Sequence, residues 1–458
     1  MSTTESDRTA PAGPTLSEVP FTLVEEAPRT LGLVDQLALW GNLGISLLGF
    51  TGAIFVLQPG GPGSPRLSLL AALTAIIVGT VAGTAAVAAT GLAGAITGAP
   101  TMVLLRGLFG ARVSYLPTVL NIAQLLGWGT FEIVIISTAG HQLLPRVATL
   151  VFVLVAGVAT TGLAVYPLGS VRVLRKYVTV AVVIALAYLS IELFRHGVPS
   201  VPGGSWNGFF AASDTALAVA VSWVPLAADY ARHSHTPRAA FAGTFLGYSV
   251  TQTLCYGLGL LALVGVAHGH AGAIFAAFLA VPAGWLAFSV LAVRELDQSF
   301  VNTYSTAVSL QNLFPRTDRR LFAVSIGALI TAAAAVLNIA DYENFLLLLG
   351  AVFVPMFGVF VVAFFLLGGR HSWDLTENAP PRWAMLVPWA AGFVVYQLVN
   401  PGGIGWWVRL WTRVATLVGF SHQGWMSASL LGFLTAGVVT LALRVVAPRA
   451  YAGPHPAG

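Results

Sequence analysis

The sequence predicts an all-α polytopic membrane protein, and three observations carry that prediction. Of its 458 residues, 57% are hydrophobic and only 9% are charged, whereas a soluble domain carries roughly a quarter charged residues. Mostly apolar stretches long enough to span a bilayer, about 20 residues each, recur from residue 32 almost to the end of the chain. Glycine is abundant, at 49 residues, and small residues let membrane helices pack closely where no hydrophobic drive acts between them. Water cannot solvate so much apolar surface, and a soluble enzyme or binding module is excluded.

The apolar runs place spans at 32–57, 67–98, 114–143, 147–167 and 173–195 in the first half of the chain. The second half holds 214–231, 239–267, 281–311, 321–340 and 344–369, followed by 384–400 and 424–446, about twelve helices in all. The polar segment GGRHSWDLTENAPPR separates the tenth from the eleventh. Arginine and lysine in short loops set the orientation. With the N-terminus inside, the inner loops hold Arg106, Arg112, Arg172, Arg175, Lys176, Arg232, Arg238, Arg316, Arg319 and Arg320, with Arg29, Arg370, Arg382, Arg444 and Arg449. The outer loops keep only Arg66, Arg146, Arg195, Arg409 and Arg413. Both termini are therefore expected in the cytoplasm, with the protein in the plasma or inner membrane.

Residues 1–30 are polar and rich in Pro, Ser, Thr and Glu. They read as a disordered cytoplasmic tail without the pattern of a signal peptide. The basic residues sit in short loops and form no stripe for nucleic acid. The single cysteine, Cys255, lies in an apolar run and reads as a small core residue. Neither a metal-binding Cys/His spacing nor a nucleophile elbow is present, so an embedded enzyme is disfavoured.

Two spans are interrupted. In WGNLGISLLG, Gly41, Gly44 and Gly49 weaken the first helix around the polar Asn42; in SWVPLAADY, Pro225 breaks the sixth. Breaks in corresponding helices of two five-helix halves point to a transporter's central site, with freed carbonyls for a cation and half-helix N-termini for substrate. The third span reads NIAQLLGWGTFEIVII, so Gln124, Trp128 and Glu132 follow one another at intervals of four along one helical face. An indole stacks on a flat ring. A carboxylate beside it accepts from a ring N–H and an exocyclic amine together. Glu132 deep in an apolar span needs a functional reason. Trp223, next to Ser222 and two residues before Pro225, would close the other face of a stacking slot. Asp229 reads as a cap or pairing group near the cytoplasmic end, with a buried cation-coupling group as the alternative. The eighth span, VRELDQSFVNTYSTAVSLQN, is the most polar. There Arg294 is expected to pair with an acid, while Asp297 and Gln298 offer oxygens to a cation and Asn302 suits a base edge.

These residues carry a resemblance to the nucleobase–cation symport family, in its purine–cytosine permease branch. The matching pieces are WGNLG, RGLFGARVSYLPTVLN leading into GWGTFE, SWVPLAADYAR and NTYSTAVSLQNLFP, over roughly residues 25–370. The resemblance implies the leucine-transporter fold: ten core helices in two inverted repeats, two peripheral helices and alternating access. It also implies a substrate sandwiched between Trp128 and Trp223, with polar contacts from Glu132 and Asn302 and a helix-one contribution from Gly41 to Ser46. A carboxylate at position 132 is similar to the proton-coupled cytosine and purine members, where hydantoin-type members carry an amide. Sodium-coupled relatives carry small hydroxyl residues at about the positions of Asp297 and Gln298.

The expectation is a secondary active transporter importing a cytosine- or purine-like base with H⁺ or Na⁺, and no other cofactor. The rival within the family is hydroxymethylpyrimidine, a thiamine precursor with the same aminopyrimidine edge; an embedded enzyme or a channel is the rival outside it. Expected substrate residues are Trp128, Glu132, Trp223, Asn302, Gln124, Ser222, Ile45 and Asn42. Gly41, Gly44, Asp297 and Gln298 form the expected cation site. The core is placed at 31–370, with repeats at about 32–195 and 214–369, peripheral helices at 371–447 and a cytoplasmic tail at 448–458. The partners are the small-molecule substrate and the lipid bilayer, with no nucleic acid and no sign of oligomeric state.

Overall fold

The computed structural model describes residues 28–451 apart from 62–63, 167–169, 196, 198–199, 202, 271–272, 314–316 and 449–450. Most of the expected N-terminal tail, the end of the C-terminal tail, Arg316 and Arg449 thus lie outside the described residues. Residues 28–31 are tied down: the Leu31 N–H donates to the His233 carbonyl at 2.9 Å, and the His235 N–H to the Leu31 carbonyl at 2.8 Å.

The first expected span is two helices, α1 (Leu33–Leu43) and α2 (Leu47–Leu57), bent by 62° at the break. After them come α3 (Leu69–Thr97), a short α4 (Thr101–Phe109), α5 (Tyr115–Leu143), α6 (Thr149–Val165) and α7 (Ser170–Arg195). The sixth span is α8 (Phe209–Val221), a 3₁₀ turn at Val224–Leu226 and α9 (Ala227–Ala231). Next are α10 (Pro237–Leu261), α11 (Ile274–Leu279), α12 (Gly284–Leu313), α13 (Arg319–Ala334) and α14 (Tyr342–Val361). A short α15 (Gly369–Ser372), α16 (Leu386–Val399), α17 (Gly405–Leu417) and α18 (Ala428–Val446) complete the chain.

Among the described residues, seven helices are long and apolar enough to cross a membrane, and the bent pair supplies an eighth. The shorter apolar helices Thr149–Val165 and Trp383–Val399, the charge-bearing α12 and the 16-residue α13 account for the other expected segments. Four short helices, α4, α11, α15 and α17, were not foreseen. Of these, α17 falls where the sequence reading placed an outer loop holding Arg409 and Arg413. It is amphipathic, with Trp411 buried and Trp406 exposed, the pattern of a helix at the edge of an apolar layer.

The helices pack as two sets. In one, α1 lies on α10, α10 on α3 and α3 on α8, with α2 and α9 attached. In the other, α5, α6, α12 and α13 pack on one another, and α7 leans on α12. Outside these, α14 packs with α8, α16 and α18. Glycines bring α3 and α8 to backbone contact. A Cβ on Gly83 would stand 2.7 Å from the Leu217 carbonyl oxygen, and one on Gly79 would overlap the Ser213 carbonyl oxygen.

Polar groups buried away from the centre serve the packing. Asp214 accepts from the Ser427 hydroxyl at 2.6 Å and the Ala428 N–H at 2.8 Å, capping α18. Asp229 accepts from the Thr101 N–H at 2.7 Å, which is the capping role expected from its position. Cys255 is buried and free, in the core.

Candidate substrate site

The two sets of helices face each other across a cavity beside both breaks. From α5 it is lined by Gln124, Trp128 and Glu132, the face expected from their spacing. Ser222 and Trp223 reach it because α8 ends there: Pro225 has no N–H to donate, and the chain passes through a 3₁₀ turn. From α12 come Gln298 and Asn302, and from the helix-one break Gly44 and Ser46.

The indoles are braced by aromatic edges. Trp128 meets Phe345 at 5.3 Å and 78° and Tyr342 at 5.9 Å and 70°. Trp223 meets Trp40 at 6.1 Å and 86°, and its Nε1–H donates to the Tyr248 hydroxyl at 3.0 Å. Edge-to-face contacts of this kind fix ring orientation.

The polar lining is held just as firmly. The Gln124 amide donates to Asn121 Oδ1 at 2.8 Å and the Ser222 carbonyl at 2.9 Å. The Gln252 amide donates to Thr80 Oγ1 at 2.9 Å and the Ala216 carbonyl at 2.8 Å. With both amide hydrogens engaged, each side chain has only an acceptor left. The oxygens Gln124 Oε1, Gln252 Oε1 and Glu132 Oε2, with the hydroxyls of Tyr256 and Tyr342, are buried without a hydrogen-bond partner among the described residues.

Four of the expected residues do not line the cavity. Asn42 is turned to α12, where its Oδ1 and carbonyl oxygen accept from Arg294 at 3.2 and 2.7 Å. Ile45 is a core residue whose carbonyl accepts from Gln298 Nε2 at 3.3 Å. Gly41 sits against α10, where a Cβ on Gly247 would come within 2.9 Å of its nitrogen. Asp297 lies 3.9 Å from Arg294, the ion pair expected of that cluster. Gln298 lines the cavity, but its amide also donates to the Leu43 carbonyl at 3.2 Å. The polar lining residues that escaped the sequence reading are Tyr248, Gln252 and Tyr256 on α10, and Tyr342. The first three recur at intervals of four, the same signal that exposed the α5 face.

Broken helices around a braced aromatic slot, within an all-helical membrane fold, define a membrane transporter. Over residues 24–375 the chain matches the family described as "Permease for cytosine/purines, uracil, thiamine, allantoin". It belongs to that family of permeases, so it is a membrane transporter and not an enzyme. No curated protein matches it by sequence.

Its fold is similar to that of Mhp1 in an inward-facing conformation, at 16% identity and a TM-score of 0.72, covering 92% of each chain. Mhp1, a nucleobase-cation-symport-1 family transporter, in a closed conformation with bromovinylhydantoin bound, gives 17% identity and a TM-score of 0.66 over 94% of this chain and 96% of that one. A Na⁺-coupled sialic acid symporter gives 11% identity and a TM-score of 0.51 over 90% and 97%. At such identities these likenesses speak for the leucine-transporter-type fold alone.

Proposed function

We propose that the protein imports a nucleobase rich in N–H donors, of the cytosine or purine kind, together with a proton. The observation that carries this reading is the set of unpaired acceptors: Gln124 Oε1, Gln252 Oε1 and Glu132 Oε2 belong to residues that line one cavity and have no partner among the described residues. A buried acceptor left without a donor is costly, so the preferred ligand brings several donors at once. An aminated base does so along its ring N–H and amino edge, and Trp128 and Trp223 stack on its faces. Asn302 adds an amide able to donate to a ring nitrogen or carbonyl.

The proton is assigned to Glu132, a carboxyl at 3% exposure on the cavity wall. A buried carboxyl that faces a cavity can take up and release a proton as the site opens to either side. In this reading residues 31–370 are the transport core and 371–447 an accessory pair of spans. The protein lies in the cell membrane with both termini in the cytoplasm, as the arginine distribution favours.

The test is uptake of labelled cytosine by cells lacking their own base permeases, with unlabelled heterocycles as competitors and an uncoupler added. Saturable uptake that adenine competes and the uncoupler abolishes is the expected result. Strong uptake of hydroxymethylpyrimidine with none of cytosine would keep the donor-edge chemistry and overturn the substrate.

A further inference from the structure

The helix-one break is where freed backbone oxygens would receive a metal ion, and there they are already taken. The Asn42 carbonyl accepts from Arg294 Nη2 at 2.7 Å, and Asn42 Oδ1 from Arg294 Nε at 3.2 Å. The carbonyls of Leu43 and Ile45 accept from Gln298 Nε2 at 3.2 and 3.3 Å. The Ser46 hydroxyl donates to Glu295 Oε2 at 3.2 Å and accepts from the Leu48 N–H at 3.0 Å.

The arrangement matches the charge of each broken end. The C-terminus of α1 presents partial negative charge, and the guanidinium sits on it. The N-terminus of α2 presents partial positive charge, and its first N–H, that of Leu47, donates to the carboxylate of Glu295. Both side chains are almost wholly buried, at 2% and 1% exposure, and both belong to α12. They thus join the α1–α3–α8–α10 set to the α5–α6–α12–α13 set at the place where a bound ion would otherwise do so.

A sodium ion needs several oxygen lone pairs turned to one centre, and each of these carbonyls already has part of its accepting capacity engaged by an α12 side chain. A fixed guanidinium on the same carbonyl also repels any second cation. The residues present do not fit a metal ion.

We infer that Arg294 is the resident cation of the helix-one break, a charge fixed to the protein in the place of a diffusible metal ion. Sodium then neither binds there nor drives transport. This rests on the symport reading above and narrows it to an ion held elsewhere.

The experiment uses the purified full chain in two formats. In liposomes, exchange of labelled for unlabelled base tests the transport reading, and accumulation is then driven by a sodium gradient at fixed pH or by a pH gradient without sodium. In detergent, the melting temperature is compared in sodium and choline salts of equal ionic strength, since an ion that binds only the folded protein raises it. The expected result is accumulation with the pH gradient alone and the same melting temperature in both salts.

Arg294→Ser, which frees the Asn42 oxygens, is expected to melt higher in sodium than in choline. Sodium-driven accumulation or sodium stabilisation of the unaltered protein overturns the inference. So does a folded Arg294→Ser protein that ignores sodium, because the guanidinium is then not what excludes it. Where the variant does not fold, the unaltered protein decides alone. Absence of exchange with every base defeats the nucleobase reading, and the melting comparison still tests the resident cation.

Discussion

Gln124 and Gln252 approach the cavity from α5 and α10, on opposite sets of helices, and each presents its amide oxygen with both amide hydrogens already engaged. Neither can turn its NH₂ to the ligand without leaving two protein acceptors empty. The site's polarity is therefore set before the substrate arrives, a preorganisation that lowers the cost of binding. Replacing Gln252 by Ala is expected to weaken an aminated base by about ten-fold, roughly the 1–1.5 kcal/mol of one net hydrogen bond. Competition constants for a series of bases check this, and an equal loss for bases with the donor removed would contradict the acceptor role.

Glu132→Gln should act more strongly and more selectively. It removes a charge-assisted contact and replaces one acceptor oxygen by a donor, so amine-bearing bases are expected to lose about 1.5–3 kcal/mol, or ten-fold and more. Ketone-only bases should lose much less. The measurement is the ratio of the two losses in an uptake-competition assay; a ratio of one sinks the edge-reading claim.

The indoles can be separated by conservative and drastic changes. Trp128→Ala removes a stacking face and is expected to weaken binding by about 1–3 kcal/mol, the range for one base on one aromatic. Trp223→Phe keeps a ring but loses the 3.0 Å bond to Tyr248, so a smaller loss is expected. Substrate-induced quenching of tryptophan fluorescence reads both.

Backbone contact between α3 and α8 makes a separate prediction about stability. Gly83→Val places atoms where the Leu217 carbonyl oxygen and the Ala220 Cβ stand, 2.7 and 2.8 Å from the first added carbon. Overpacking of that kind costs about 1–3 kcal/mol. A lowered melting temperature in detergent is the expected reading.

Asp214→Asn provides the complementary case, far from the cavity. It weakens the cap of α18 made through Ser427 and Ala428, worth about 1–2 kcal/mol. The expected outcome is a lower melting temperature with an unchanged competition constant, since Asp214 is not among the residues lining the cavity.

Much of this site was legible because membrane helices carry few polar residues, so Gln124, Trp128 and Glu132 stood out at one spacing against an apolar background. The same rule covers Tyr248, Gln252 and Tyr256, but there tyrosine and glycine blend with ordinary membrane packing and the pattern reads as core. Asn42 and Ile45 were misplaced for a different reason. Helical periodicity says which way a side chain points only while the helix continues, and α1 ends one residue after Asn42. Asp297 and Gln298 were read as oxygen donors, whereas a glutamine can turn either end to its neighbours. The choice was made by carbonyls on another helix, which periodicity along α12 does not reveal. Helix α17 was missed because Arg409 and Arg413 lower its hydropathy, although its apolar residues recur with helical period.

The guanidinium on the broken first helix also has an electrical consequence. A charge attached to α12 goes out and comes back with the protein, so over a full cycle it adds nothing to the current. What the membrane potential acts on is then only what is left behind on the far side. A neutral base entering with one proton moves one elementary charge, worth about 2.3 kcal/mol for every 100 mV.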